Sequence, residues 1–156
     1  MEYIDKLLSN YVLIAAVLGW ASAQVIKTII DFGFTKELKI ERLVGSGGMP
    51  SCHSATVCAL ATACGIFYGV ESAAFAISAI FAIVVMYDAR GVRRETGNQA
   101  EVLNQIMTFL HAKNPEEIKF NQEKLKELIG HTPLQVCMGA IWGVISAFIT
   151  YNLFYI

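Results

Sequence analysis

Charge is scarce in this 156-residue chain: Asp, Glu, Lys and Arg make up 16% of it, against about a quarter in ordinary soluble domains. Neither sign prevails, because 12 Lys and Arg face 13 Asp and Glu for a net charge of −1, so no whole-molecule field points to nucleic acid or to an acidic partner. Cysteine is confined to Cys52, Cys58, Cys64 and Cys137, at neither metal-site nor redox-motif spacing. Each sits in or beside an apolar stretch, so small buried hydrophobes are expected rather than a disulfide or metal centre. The start, MEYIDKLLSN, lacks a basic n-region and the following run lacks a small-residue cleavage pattern, so no removable signal peptide is expected. Internal repeats and low-complexity linkers are missing too, so one domain over residues 1–156 is expected.

What fills the chain instead is apolar: 55% hydrophobic residues and a mean hydropathy of +0.51. A bilayer core takes about 20 residues of helix. Four segments approach that length, at residues 11–32, 54–70, 72–87 and 133–156. The second and third are short and nearly touch, so they read as a tight helical hairpin. Both are crowded with small residues such as Ala59, Ala63, Gly65, Ala76, Ser78 and Ala82, which let helices approach closely in lipid. Between the apolar runs, residues 99–110 and 116–129 each carry an apolar stripe at helical spacing. The expected fold class is therefore all-α: an integral membrane helical bundle of about four transmembrane helices plus interfacial amphipathic helices.

Four crossings put both polar loops on one side. Eleven of the twelve Lys and Arg residues belong to that side and only Lys6 is opposite, so the positive-inside rule predicts a cytoplasmic location for the loops. An anion-binding role for some of these cations would weaken that vote.

All three histidines also belong to the loop side. His53 opens the second apolar helix, just after GSGGMPS, where Gly45, Gly47 and Gly48 can turn consecutive N–H groups toward an anion. His131 precedes Thr132-Pro133, and Thr132 with Gln135 spells a Thr-x-x-Gln capping box. Helix starts expose unpaired N–H groups and the positive dipole end, so both histidines sit beside backbone that favours an oxyanion. Arg90, Arg93 and Arg94 follow the third helix and offer forked donors suited to phosphate oxygens. Each feature also has a plainer reading. Ser51 and Thr132 serve as N-caps, Gln135 as a capping-box partner, and Lys27 with Asp31 as an i,i+4 pair. The arginines read equally as a positive-inside cluster, Asp88 as their ion-pair partner, and His111 as a packed or solvated side chain. Those plainer readings do not require His53 and His131 to be related to each other.

The stretches GGMPSCHSA, YDARGVRRETGNQAEVLN and GHTPLQVCMGAIWG resemble the divergent branch of the type-2 phosphatidic acid phosphatase superfamily, relatives of acid phosphatases and vanadium-dependent haloperoxidases. Pro50, Ser51, Cys52 and His53 occupy its Pro-Ser-Gly-His motif, with cysteine where glycine is usual. His131 and Gln135 occupy its His-x-x-x-Asp motif, with an amide where an acid is usual. Lys27 is the best stand-in for the lysine of a third motif. The resemblance implies a phosphatase that needs no metal and no cofactor. His131 would attack phosphorus to form a phosphohistidine and His53 would protonate the leaving oxygen. Phosphate would be held by Lys27, Gly48, Ser51, Cys52, Arg90, Arg93 and Arg94, and Gln135 or Asp88 would orient His131. An amide orients an imidazole without supplying charge, so Asp88 or Glu95 supplies the acid, or catalysis is weak, or phosphate is bound without hydrolysis. A lipid-linked phosphomonoester or diphosphate is the expected substrate and membrane lipid the expected surroundings. Nucleic acid is not expected as a partner, and a homo-oligomer is left open. The alternatives are a phosphate- or lipid-binding membrane protein without catalysis, and a structural subunit whose surface helices dock a soluble partner.

Overall fold

A computed structural model describes residues 2–36, 48–113 and 130–155 of the chain. Among these residues six helices follow one another: α1 (Glu2–Leu8), α2 (Tyr11–Thr35), α3 (Cys52–Tyr68), α4 (Ala73–Arg90), α5 (Val92–Lys113) and α6 (Pro133–Tyr155). Among the described residues there is no strand. Three stretches are long and apolar enough to cross a bilayer, namely α2, α4 with its continuation, and α6. The fourth crossing, α3, has only 17 residues, about 25 Å of helix. It packs more extensively than the others, against α2, α4 and α6 alike. A short helix that shows protein on most sides need not match the lipid thickness by itself, which answers the brevity seen in the sequence.

Small residues make that central position workable. A side chain on Gly19 of α2 would meet Ala59 and the Ala55 carbonyl of α3, and one on Gly65 of α3 would meet the Phe75 ring of α4. From α6, Gly139 and Gly143 lie directly on the Ser51 and Ala55 carbonyls of α3. Polar atoms add direction to the contact between α2 and α6: the Trp142 indole N–H donates to Ser22 Oγ at 2.8 Å, and the Ser22 hydroxyl reaches the Leu18 carbonyl at 2.6 Å. At the end of the bundle away from the histidines, the Tyr11 hydroxyl donates to the Ala147 carbonyl at 3.0 Å, and its ring packs near Phe67 and Tyr151.

The helix ends follow local chemistry more than the apolar count does. Asn10 caps α2 and Ser72 caps α4, each accepting a backbone N–H three residues on. Ser51 caps α3, as read from the sequence, so the helix starts two residues before the apolar run and takes His53 into its first turn. Further along, α4 reaches Arg90, and α5 covers Val92–Lys113, well beyond the stripe at 99–110 that signalled it. On α5 the residues Val102, Leu103, Ile106, Met107, Phe109 and Leu110 are exposed while Gly97 is buried, the form of a helix that keeps its apolar stripe for an apolar surrounding. The amphipathic segment expected at 116–129 lies outside the described residues. Of the cysteines, Cys52 and Cys64 are buried as expected. Cys58 is half-buried and Cys137 exposed, because on a membrane helix an apolar side chain can face lipid as well as protein.

Candidate functional site

Three helices and two loops bring the sequence-marked residues to one end of the bundle. At the start of α3, Ser51 Oγ accepts the Ser54 N–H at 3.4 Å, while the Ser51 N–H donates to the Gln135 carbonyl at 3.0 Å. The cap of α3 is thus tied to the first turn of α6. Cys52 is buried and clusters with Ala23 and Ala55, so its side chain fills the contact between α2 and α3. That explains how a cysteine replaces the usual glycine here. Its sulfur also lies 3.8 Å from His53 Nδ1, which leaves the Nε2 edge of that ring to face elsewhere.

His131 is held from three sides. Its N–H donates to the Ala89 carbonyl in the last turn of α4 at 3.1 Å, and only 4% of its surface is exposed. The capping box read from the sequence is formed: the Thr132 N–H donates to Gln135 Oε1 at 3.0 Å, and the Gln135 N–H to Thr132 Oγ1 at 3.3 Å. The same Oε1 lies 3.3 Å from His131 Nδ1. A backbone N–H can only donate, so the amide end facing Thr132 must be oxygen, and an oxygen facing Nδ1 requires a proton there. The contact is a hydrogen bond when neutral His131 has its proton on Nδ1 and its lone pair on Nε2. The two contacts of Gln135 that the sequence presents as alternatives, one with the Thr132 N–H and one with the His131 ring, are made by one oxygen. The rings of His53 and His131 lie with centroids 5.9 Å apart and planes tilted by 59°.

Lys27 joins from α2 with 2% of its surface exposed. Gly48, at φ +84°, rests on its stem, and a side chain at Gly48 would come within 2.9 Å of Lys27 Cγ and Cδ. Both the backbone angle and the close approach demand glycine. Gly48→Ala is expected to cost about 1–2 kcal/mol from the left-handed backbone alone, and more if Lys27 cannot shift. Thermal unfolding in detergent measures it, and an unchanged midpoint would show that neither constraint matters. Two further buried oxygens, Gln24 Oε1 and Ser54 Oγ, have no hydrogen-bond partner among the described residues. Gln24 precedes Lys27 by one turn of α2, and Ser54 follows His53 directly.

Ser51, Cys52, His53, His131 and Gln135 are thus linked through described contacts, and Lys27 and Gly48 are in contact with each other at the same end of the bundle. The Ser51 N–H, expected among the anion donors, is committed to the Gln135 carbonyl. The N–H of Cys52, at the first position of α3, is the neighbouring group that helix geometry leaves unpaired within the helix. Asp88 is half-buried and Arg90 exposed, on either side of the Ala89 whose carbonyl holds His131. Arg93 and Arg94 fall in the first turn of α5, with their side chains outside the described set, as are Gly45, Gly47 and the side chain of His111. Sequence reasoning missed Ala89 and Gly139. Nothing marks Ala89 in advance, whereas the Gly139/Gly143 spacing is a readable sign of close helix contact.

Comparison with known proteins agrees with the family resemblance that these motifs carry. Residues 8–146 match the profile of a family described as the Divergent PAP2 family. The chain is 40% identical over 147 residues to a Bacillus subtilis (strain 168) protein described as "Uncharacterized membrane protein YuiD", across 90% of this chain and 93% of that one. No solved structure matches the chain. The resemblance carried by the motifs around His53 and His131 therefore extends over most of the sequence, and this integral membrane protein belongs to the divergent PAP2 family.

Proposed function

We propose that this chain is a membrane phosphatase that hydrolyses a lipid-linked phosphomonoester or diphosphate through a phosphohistidine at His131. The supporting observation is the pairing of the two imidazoles, 5.9 Å between centroids, with Gln135 Oε1 3.3 Å from His131 Nδ1, an acceptor that favours a proton on that nitrogen. Attack by the Nε2 lone pair forms the N–P bond as the P–O bond to the leaving group breaks. His53 in its protonated form gives its proton to the departing oxygen. A water molecule then attacks phosphorus, His53 takes a proton from it, and the N–P bond breaks to release inorganic phosphate and restore His131. Lys27, the arginines Arg90, Arg93 and Arg94, and the Cys52 N–H are assigned to the phosphoryl oxygens, whose charge the α3 dipole also favours. Asp88 is a secondary candidate for the acid that Gln135 does not supply.

A lipid substrate is favoured because a site at the end of a membrane bundle meets headgroups by lateral diffusion. Release of phosphate from lipid phosphates by purified protein in detergent tests this function, with His131→Ala and His53→Ala as comparisons. Binding of phosphate without release by any variant would favour the non-catalytic reading instead.

The site is assigned to the cytoplasmic side on the strength of the eleven basic residues gathered there. A cysteine introduced at Lys119 should resist a membrane-impermeant maleimide in intact cells and react after permeabilisation. Labelling before permeabilisation would reverse the orientation. The native exposed Cys137 is replaced beforehand to keep the readout clean.

A further inference from the structure

We propose that Thr132 is a positioning residue for His131, and that the capping box it forms with Gln135 decides which imidazole nitrogen is nucleophilic. A capping box ordinarily starts a helix and nothing more. Here its amide oxygen has two donors in reach, the Thr132 N–H at 3.0 Å and His131 Nδ1 at 3.3 Å. The first contact settles the orientation of the amide, since turning it over would set the NH₂ group against a backbone N–H. The second transmits that choice to the ring. Thr132 Oγ1 steadies the arrangement by accepting the Gln135 N–H at 3.3 Å, so the side chain of Gln135 starts from a fixed backbone.

Main-chain bonds anchor the box to two other helices: the His131 N–H on Ala89 of α4, and the Gln135 carbonyl on the Ser51 N–H at the start of α3. His131, Thr132 and Gln135 thus have little freedom to rearrange as a unit. A carboxylate partner would fix the same tautomer by its charge. This chain does so with a neutral oxygen whose direction is set by a helix start, which makes the tautomer depend on the cap. The catalytic meaning of this device rests on the phosphatase reading above, but the tautomer itself does not.

The test reads the tautomer directly. The full chain, labelled with ¹⁵N-histidine and held in detergent micelles, is followed by NMR at a pH where His131 is neutral. His131 is assigned by its absence from the spectrum of His131→Ala. The wild type should show the Nδ1–H form. Thr132→Ser and Gln135→Glu, which keep the acceptors, should show it too. Gln135→Met, close in shape but without the oxygen, should move the ring to the Nε2–H form, and Thr132→Val should give a mixture. On turnover, Thr132→Val should lower kcat roughly 10- to 100-fold, by analogy with the loss of an outer partner of a metal-bound histidine, with KM changed less than about twofold, and Thr132→Ser should restore it. An Nε2–H wild type, or an unchanged tautomer in either Gln135→Met or Thr132→Val, would overturn the proposal. If the tautomers follow the expected pattern while no variant, wild type included, releases phosphate, the lock stands and the phosphatase reading falls.

Discussion

Replacing His131 with alanine is expected to lower kcat/KM for phosphate release from a lipid phosphate by roughly 10³- to 10⁶-fold, the range over which losing a covalent nucleophile leaves only residual binding and electrostatic catalysis. His53→Ala should cost less, about 10²- to 10⁴-fold for an alkoxide leaving group, as for the loss of a general acid. The two losses also differ in kind. A nitrophenolate departs without needing a proton, so with a nitrophenyl phosphate much of the His53→Ala defect should disappear. The His131→Ala defect should persist with either substrate, since no leaving group replaces a nucleophile. Rapid alkaline quenching of a ³²P-labelled substrate should capture label on the wild-type chain and none on His131→Ala. Activity within tenfold of wild type in His131→Ala would end the phosphohistidine mechanism. A leaving-group dependence shared equally by the two variants would end the division of roles.

Much of this arrangement could be read from the sequence, and what could not has a physical cause. Apolar runs located α2, α3, α4 and α6 because lipid and helix–helix contacts reward the same residues. Their ends were displaced by a few residues because a cap is a matter of one hydrogen bond: Ser51 accepts from Ser54, and so Cys52 and His53 become helical although neither extends the apolar count. The pairing of His53 with His131 was legible because both precede or open helices on the same side. The double duty of Gln135 was not, because a sequence presents capping and orienting as alternatives, whereas an oxygen with two lone pairs can do both. The rest depends on long-range packing. Lys27 lies under Gly48 and His131 hangs from Ala89, contacts between residues far apart in sequence that no local pattern announces.

The contact of α6 with α3 carries the second large effect. A Cβ on Gly139 would run into the Ser51 carbonyl oxygen, with the Ser54 Cβ 3.0 Å away, and these are mostly backbone atoms that cannot rotate aside. Gly139→Ala must therefore push α6 away from α3. Ser51 is the residue whose N–H holds Gln135 and whose hydroxyl caps α3, so the displacement falls on the joint between the two histidine-bearing helix starts. Overpacking of this kind costs about 1–3 kcal/mol, and a misplacement near 1 Å in an active site costs roughly 10²-fold in rate. Gly33 supplies the control. It is also within a helix, but among the described residues a Cβ there would meet nothing within 4 Å. Gly33→Ala should be neutral or stabilise by up to about 1 kcal/mol through helix propensity alone. Thermal unfolding in detergent and phosphate release are measured on both variants. The expectation fails if Gly139→Ala matches Gly33→Ala in both, since the close approach of α6 to Ser51 would then have no bearing on either the bundle or the histidine pair.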